Sequence, residues 1–129
     1  MELMTPVSPG ELLDKLTILD IKSERIEDAD KLANIALEKR LLEKVWRESG
    51  LETEEIVRLR AQLKTINEQL WEIEDDIRDE ERARRFEDRF IELARAVYVT
   101  NDQRSSIKKA INLALGSNIV EEKSYSDYR

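Results

Sequence analysis

Four carboxylate side chains in the middle of the chain have the spacing of a metal site. Glu72, Asp75, Asp76 and Asp79 lie three and four residues apart, a spacing that groups side chains on a helix. Magnesium prefers carboxylate oxygens, and all-α nucleotide pyrophosphohydrolases hold it with such acids on facing helices. One hypothesis is therefore a magnesium-dependent phosphohydrolase that acts on nucleotides or sugar nucleotides.

The apolar residues around these acids favour a different interpretation. They repeat every three or four residues and predict the buried face of a long helix. These residues are Ile56, Leu59, Leu63, Ile66, Leu70, Ile73 and Ile77. On this helix Glu72, Asp75 and Asp79 point outward, and Asp76 only flanks the buried face. We therefore favour a solvated acidic surface without a metal, and magnesium is the alternative cofactor.

A second long apolar repeat is interrupted by polar residues at its centre. Its positions are Phe90, Ala94, Val97, Asn101, Arg104, Lys108, Ile111 and Leu115. Desolvating Asn101, Arg104 and Lys108 costs on the order of several kcal/mol unless each side chain finds a partner. This interruption is the strongest functional indication in the sequence.

Folding the two long helices back on each other about residue 85 creates a predicted polar cluster. Its members are Asn67, Glu74, Tyr98, Asn101, Arg104 and Lys108. One interpretation is a structural layer that fixes helix register. The other is a binding site, because the surplus positive charge suits an anionic small molecule such as a phosphate or sugar phosphate. Acids of the first helix (Asp14, Asp20 and Glu24) would suit the same cations.

Composition excludes several classes of function. The 129 residues include no Cys and no His, which removes disulfides, thiolate metal sites and histidine-based catalysis. The net charge of −7 argues against nucleic-acid binding. We see neither a signal peptide nor an apolar run of about 18 residues, so we expect a cytoplasmic protein without a membrane partner. No activated nucleophile is evident, and we favour a non-enzymatic binding or assembly module.

Helix signals divide the chain into four segments. A charged fraction of 40% with only 3 Gly and 2 Pro predicts an all-α protein. The expected helix boundaries are marked by Ser8, Pro9, Asp30, Gly50, Thr53, Arg82 and Gly116. We predict one domain over residues 1–129, in which two shorter helices pack on a long, coiled-coil-like antiparallel hairpin. Residues 117–129 form a polar C-terminal tail.

The length of the predicted hairpin bears on assembly. Helices of about 30 residues are about 45 Å long, so two shorter helices cannot cover them completely. Apolar side chains such as Leu37, Leu41 and Trp46 should then remain exposed on a monomer. We predict a homodimer that buries part of the hairpin.

Five segments of the chain resemble a family of small bacterial proteins that is catalogued only as a domain of unknown function. The segments are Pro6–Leu19, Leu70–Asp75, Glu92–Tyr98, Thr100–Asp102 and Val120–Tyr125. The resemblance implies a stand-alone helical domain, sometimes encoded near glycosyltransferase and surface-polysaccharide genes. A role accessory to cell-surface sugar biosynthesis and a glycosyltransferase partner follow as expectations. The segments also contain Lys15 and Thr17, which join the candidate binding residues, although a solvated lysine is the simpler interpretation of Lys15.

Overall fold

The computed structural model describes residues 1–129 and contains four α-helices and no strand. The helices are α1 (Pro9–Arg25), α2 (Ala29–Ser49), α3 (Glu54–Arg82) and α4 (Asp88–Ala114). The all-α prediction is therefore confirmed. None of the four helices combines the length and the apolar character that a membrane span requires.

Side-chain caps define where α1 and α2 begin. The Ser8 hydroxyl accepts a hydrogen bond from the backbone amide of Glu11 at 3.2 Å, as the sequence predicts. Asp28 caps α2 in the same way, accepting from the backbone amide of Lys31 at 3.0 Å. The prediction that Asp30 caps α2 was wrong, because Asp30 already lies inside the first turn of the helix.

The connections between the other helices also follow from local chemistry. Gly50 ends α2 in the left-handed conformation (φ 66°), and the Thr53 hydroxyl then caps α3. Residues 83–87 join α3 to α4 without a glycine, and Arg84 takes the left-handed conformation instead (φ 58°). Arg85 pairs with Glu80 at 2.8 Å across this turn, close to the predicted position of the fold-back.

The central helix of the fold is α1. It contacts α2, α3 and α4, whereas the backbone of α2 lies close only to α1. The core contains Leu12, Leu13, Leu16, Trp46, Ile56, Leu63 and Ile111. Trp46 is only 3% exposed, so the prediction that it remains on the surface was wrong. Its indole ring is part of this core, whereas Leu37 and Leu41 are exposed as predicted.

The buried positions of α4 differ from the predicted apolar repeat. Leu93 is buried, whereas its predicted neighbour Ala94 is exposed. Thr100, Ile111 and Asn112 are buried as well. Because α4 packs against both α3 and α1, its buried residues do not follow a single stripe.

Candidate functional site

The predicted polar residues meet at one buried carboxylate, that of Asp14 on α1. Asp14 is 1% exposed. Its Oδ1 accepts hydrogen bonds from Asn67 Nδ2 at 2.9 Å and from Arg104 Nε at 3.0 Å. Its Oδ2 accepts from Arg104 Nη2 at 2.6 Å. Asp14 thus joins α1 to both long helices, through a two-point Arg–carboxylate pair that is stronger than a neutral hydrogen bond.

Thr17 completes the inner part of this arrangement. It lies one turn after Asp14, and its hydroxyl donates to the Asp14 backbone oxygen at 2.8 Å. The same hydroxyl oxygen accepts from Asn67 Nδ2 at 2.9 Å. No buried side-chain nitrogen or oxygen in the structure lacks a hydrogen-bond partner. We call Asp14, Thr17, Asn67, Arg104 and Lys108 the polar layer.

Lys108 connects the polar layer to two further carboxylates. Its Nζ is 2.7 Å from a Glu11 carboxylate oxygen and 3.8 Å from Asp14 Oδ2. A third carboxylate comes from the C-terminal tail, where Glu121 lies 3.3 Å from the same nitrogen. Burial lowers the pKa of Lys108, but the hydrogen bond to Glu11 and the three nearby carboxylates outweigh it, so the pKa is raised overall.

The positive charge of Arg104 is balanced inside the polar layer by the carboxylate of Asp14. The hydrogen bond to Asp14 is the main reason that the pKa of Arg104 is raised, and it outweighs the opposing effect of burial. Arg104 Nη1 also reaches Asn101 Oδ1 at 3.4 Å. The cation that suggested an anionic ligand therefore already has an internal carboxylate. Asp14 was one of three acids that sequence reasoning considered for this role.

A close approach between α1 and α4 fixes the position of the layer. The Gly10 amide donates to Asn112 Oδ1 at 2.7 Å. A Cβ atom on Gly10 would lie 2.6 Å from the Lys108 backbone oxygen, so a larger residue would push the helices apart. This glycine therefore sets the distance at which Glu11 and Asp14 meet Lys108.

Four of the predicted binding residues lie outside the polar layer, and Asn101 is the one that still contacts it, through Arg104. Lys15 is exposed on α1. Glu74 forms an ion pair with Arg78 on its own helix. Tyr98 is 40% exposed and makes an edge-to-face contact with Tyr128 of the tail, with ring centroids 5.0 Å apart.

Three of the four acids considered for magnesium pair with separate arginines. Glu72 pairs with Arg25 and Asp79 with Arg82. Asp76 lies 3.6 Å from Arg89, and Asp75 is exposed. No group of three or more carboxylates in the structure is close enough to hold a metal ion.

Sequence reasoning did not include Glu11 or Asp14 in its candidate binding set. The signal for Asp14 was present, since it is an acid between Leu12, Leu13 and Leu16 on a strongly apolar helix. The Asp14 carboxylate is hidden from solvent, and its hydrogen-bonding capacity is used by Arg104 and Asn67. The polar layer therefore holds helices together, and Lys108 also links it to the C-terminal tail.

Comparison with known proteins gives a family but no activity. No curated protein and no solved structure matches the chain. One family model matches residues 3–128, which is nearly the whole chain. The resemblance expected from the sequence segments is thus confirmed, and the chain belongs to DUF6165, a family of unknown function.

Proposed function

We propose that the protein is a non-enzymatic helical binding or assembly module. The observation that carries this proposal is the complete pairing of the polar layer: Asp14 is 1% exposed and already holds Arg104 and Asn67. Catalytic acids and bases must reach the substrate, and they must be able to give up or accept a proton during the reaction. The polar residues at the centre of this molecule instead fasten α1 to its neighbours.

In this proposal α3 and α4 act as a long, coiled-coil-like antiparallel hairpin. The connection of five residues, 83–87, supports this arrangement. So does the Asp76–Arg89 pair next to the turn. Asn67 and Arg104, which are both much farther from the turn, converge on the same Asp14 carboxylate. Such a hairpin provides a rigid surface on which a partner can assemble.

The first partner that we propose is a second copy of the chain. Phe86 and Ile91 lie near the turn end of the helix pair and are 49% and 53% exposed. Solvent-exposed apolar side chains on an elongated surface are typical of interaction sites when they are grouped. A homodimer that buries this part of the hairpin would cover both.

Sedimentation at micromolar concentration tests this dimer. We expect the parent to sediment at twice its mass of 15.2 kDa, and Ile91→Glu to sediment as a monomer because a charge would be buried. Leu113→Glu is the matched control, since Leu113 is 66% exposed at the other end of α4. A monomeric parent would contradict the proposal.

A second partner, a glycosyltransferase, is proposed from the family resemblance alone. The module would then be accessory to cell-surface sugar biosynthesis. Co-purification of the tagged chain with glycosyltransferases of its host tests this partner, with the Ile91→Glu variant to show whether the hairpin surface is needed. Retention of no glycosyltransferase by either form would contradict it.

Binding of an anionic small molecule is a second candidate function. Lys108 supports it, because this cation of the polar layer borders a cavity of about 190 Å³ that Lys109 and Lys123 also line. A phosphate or sugar phosphate that binds only the folded state raises the melting temperature by mass action. We expect such a rise with inorganic phosphate relative to chloride at equal ionic strength. An unchanged melting temperature would contradict anion binding.

The magnesium-dependent phosphohydrolase is the alternative against which both candidates are tested. Its residues would be Glu72, Asp75, Asp76 and Asp79, of which three pair with separate arginines and Asp75 is exposed. A screen of nucleotides and sugar nucleotides with magnesium distinguishes the alternatives. Turnover that disappears in Asp75→Asn would overturn the non-enzymatic proposal.

A further inference from the structure

A small cavity lies between α4 and the C-terminal tail, next to the polar layer. Its volume is about 190 Å³, several times the roughly 30 Å³ that one water occupies in the liquid. Lys108, Lys109 and Asn112 line it from α4, and Glu121, Glu122 and Lys123 line it from the tail. Three lysines from two chain segments therefore border one partly open cavity, together with two glutamates of the tail.

Several donors around this cavity have no partner in the protein. The Nζ groups of Lys109 and Lys123 form no ion pair, although Lys123 lies over the ring of Tyr125. The Ser105 hydroxyl, which also lines the cavity, makes no hydrogen bond. Asn112 uses its Oδ1 to accept from Gly10, so its Nδ2 group is the part of this side chain that can donate to a ligand. The cavity is thus bordered by neutral and charged donors that the protein leaves unpaired, in addition to the two glutamates of the tail.

The acceptor present at the cavity is the tail. Glu121 is the only tail residue that pairs with Lys108, and its side chain is 56% exposed. An ion pair this exposed is weak, because water and salt compete for both groups. An anion that carries more charge than a carboxylate can therefore displace Glu121 from Lys108.

We propose that this cavity binds a phosphoryl group, and that the Glu121 carboxylate occupies the cationic end of the site in the free protein. This inference rests on the anion-binding candidate of the preceding section. A phosphoryl group carries several acceptor oxygens and a charge near −2 at neutral pH, which suits three lysines, a serine and an amide better than a single carboxylate does. Glu121 is tethered beside Lys108 and therefore acts as an intramolecular competitor.

The tail is held at a second point that is independent of this ion pair. Tyr128 contacts Tyr98 of α4 edge-to-face. Between the two contacts the tail passes over a larger groove of about 1130 Å³, so few side chains hold its middle against α4. Displacement of Glu121 consequently requires movement of a short segment and leaves the helical core unchanged.

Titration of the full-length chain with inorganic phosphate tests the inference. Ionic strength is held constant with chloride, and binding is followed by calorimetry. We expect Glu121→Gln, which keeps the size of the side chain and removes its charge, to bind phosphate about three- to fivefold more tightly than the parent, a range set by the weakness of exposed ion pairs. Glu122→Gln is the matched control, because Glu122 lines the same cavity but pairs with no lysine. The phosphate affinity of this variant should differ from that of the parent by less than about twofold.

Lys109→Gln removes one of the lysines that line the cavity, and it should weaken phosphate binding several-fold.

Amide hydrogen exchange of residues 118–123 gives a second readout. Phosphate should accelerate exchange there in the parent, because the bound anion displaces the segment. Tighter binding by Glu121→Gln together with faster exchange supports the inference. Phosphate binding that is equally tight in the parent and in Glu121→Gln, or exchange that slows because the tail closes over the ligand, would overturn the competitor role and leave anion binding intact. Absence of phosphate binding in all four proteins would overturn anion binding itself.

Discussion

The two halves of the α3–α4 pair are stabilised in different ways. The half that α1 covers contains Leu63 and Ile111, both fully buried, together with the Asp14 carboxylate and its partners. The distal half comprises residues 73–99, where Leu93 is the only buried residue. Charged pairs there, such as Asp76–Arg89, join side chains that are about half exposed. The α3–α4 pair thus has a hydrophobic core only where α1 packs on it, since α1 supplies both the apolar side chains that cover the pair and the buried carboxylate of Asp14.

Replacement of Asp14 by Ala should have the largest effect on this difference. It leaves Arg104 and Asn67 without their shared acceptor in the covered half. Breaking a buried pair by removing one partner costs about 3–5 kcal/mol, and the partial exposure of Arg104 favours the lower end. Urea unfolding measures the change. Asp75→Ala in the distal half is the control, and we expect it to change stability by less than about 0.5 kcal/mol. Equal losses of unfolding free energy in the two variants would show that the polar layer adds no more stability than an exposed acid does.

Truncation of apolar side chains compares the two halves directly. Leu63 is fully buried under α1, whereas Ile77 is half-buried in the distal half. We expect Leu63→Ala to lower the free energy of unfolding by about 2–5 kcal/mol and Ile77→Ala by about 1 kcal/mol. Both values come from urea unfolding curves. A larger effect at Ile77 would mean that the distal half is covered in solution, as in the proposed dimer, and dilution should then reduce it.

Enlargement of Gly10 tests how tightly α1 must approach α4. A methyl group at this position would lie 2.6 Å from the Lys108 backbone oxygen. We expect Gly10→Ala to destabilise the protein by about 1–3 kcal/mol, because the helices must move apart. Ser23→Ala, at an exposed position on the same helix, is the control and should change stability little. Thermal unfolding monitored by circular dichroism measures both, and a neutral Gly10→Ala would show that the contact is easily relaxed.

Alkaline pH should have the smallest effect. The pKa of Lys108 is raised in the folded state above its ordinary value of 10.5. The contribution of its ion pairs is therefore fully present below that ordinary value and is lost as the pH rises through the folded-state pKa. We expect the melting temperature of the parent to fall more steeply above about pH 10 than that of Lys108→Met. Lys109→Met, which removes a lysine without an ion pair, should follow the parent.

The helices could be predicted from the sequence because their signals are local. Ser8, Gly50 and Thr53 act within one turn of the chain, and each marks the expected boundary. Asp30, the predicted cap of α2, and Asp28, the observed one, carry the same side chain two residues apart, and only the backbone conformation distinguishes them. The spacing of three and four residues in α4 could not predict that Ala94 is exposed, because α4 packs against two helices at once and its buried residues do not follow one stripe.

The candidate site was predictable only in part. The polar interruption in α4 correctly indicated that Arg104 and Lys108 need partners. Their partners lie 90 and 97 residues away, at Asp14 and Glu11, and nothing local selects them among the acids of α1. The burial of Trp46 has the same origin, since its core neighbours on α1, α3 and α4 are defined only by the tertiary arrangement.

The central position of α1 has a consequence for the order of folding. Two of the contacts that join α1 to α4 are those of Gly10 with Asn112 and of Glu11 with Lys108. Each closes a loop of about one hundred residues. Ordering such a loop costs entropy before the contact returns any stabilisation. During synthesis α1 leaves the ribosome first, yet the cation for Asp14 is made about ninety residues later. The part of the α1 surface that packs against α3 and α4 therefore stays exposed while those helices are produced, so this chain closes its core as a late event in its synthesis.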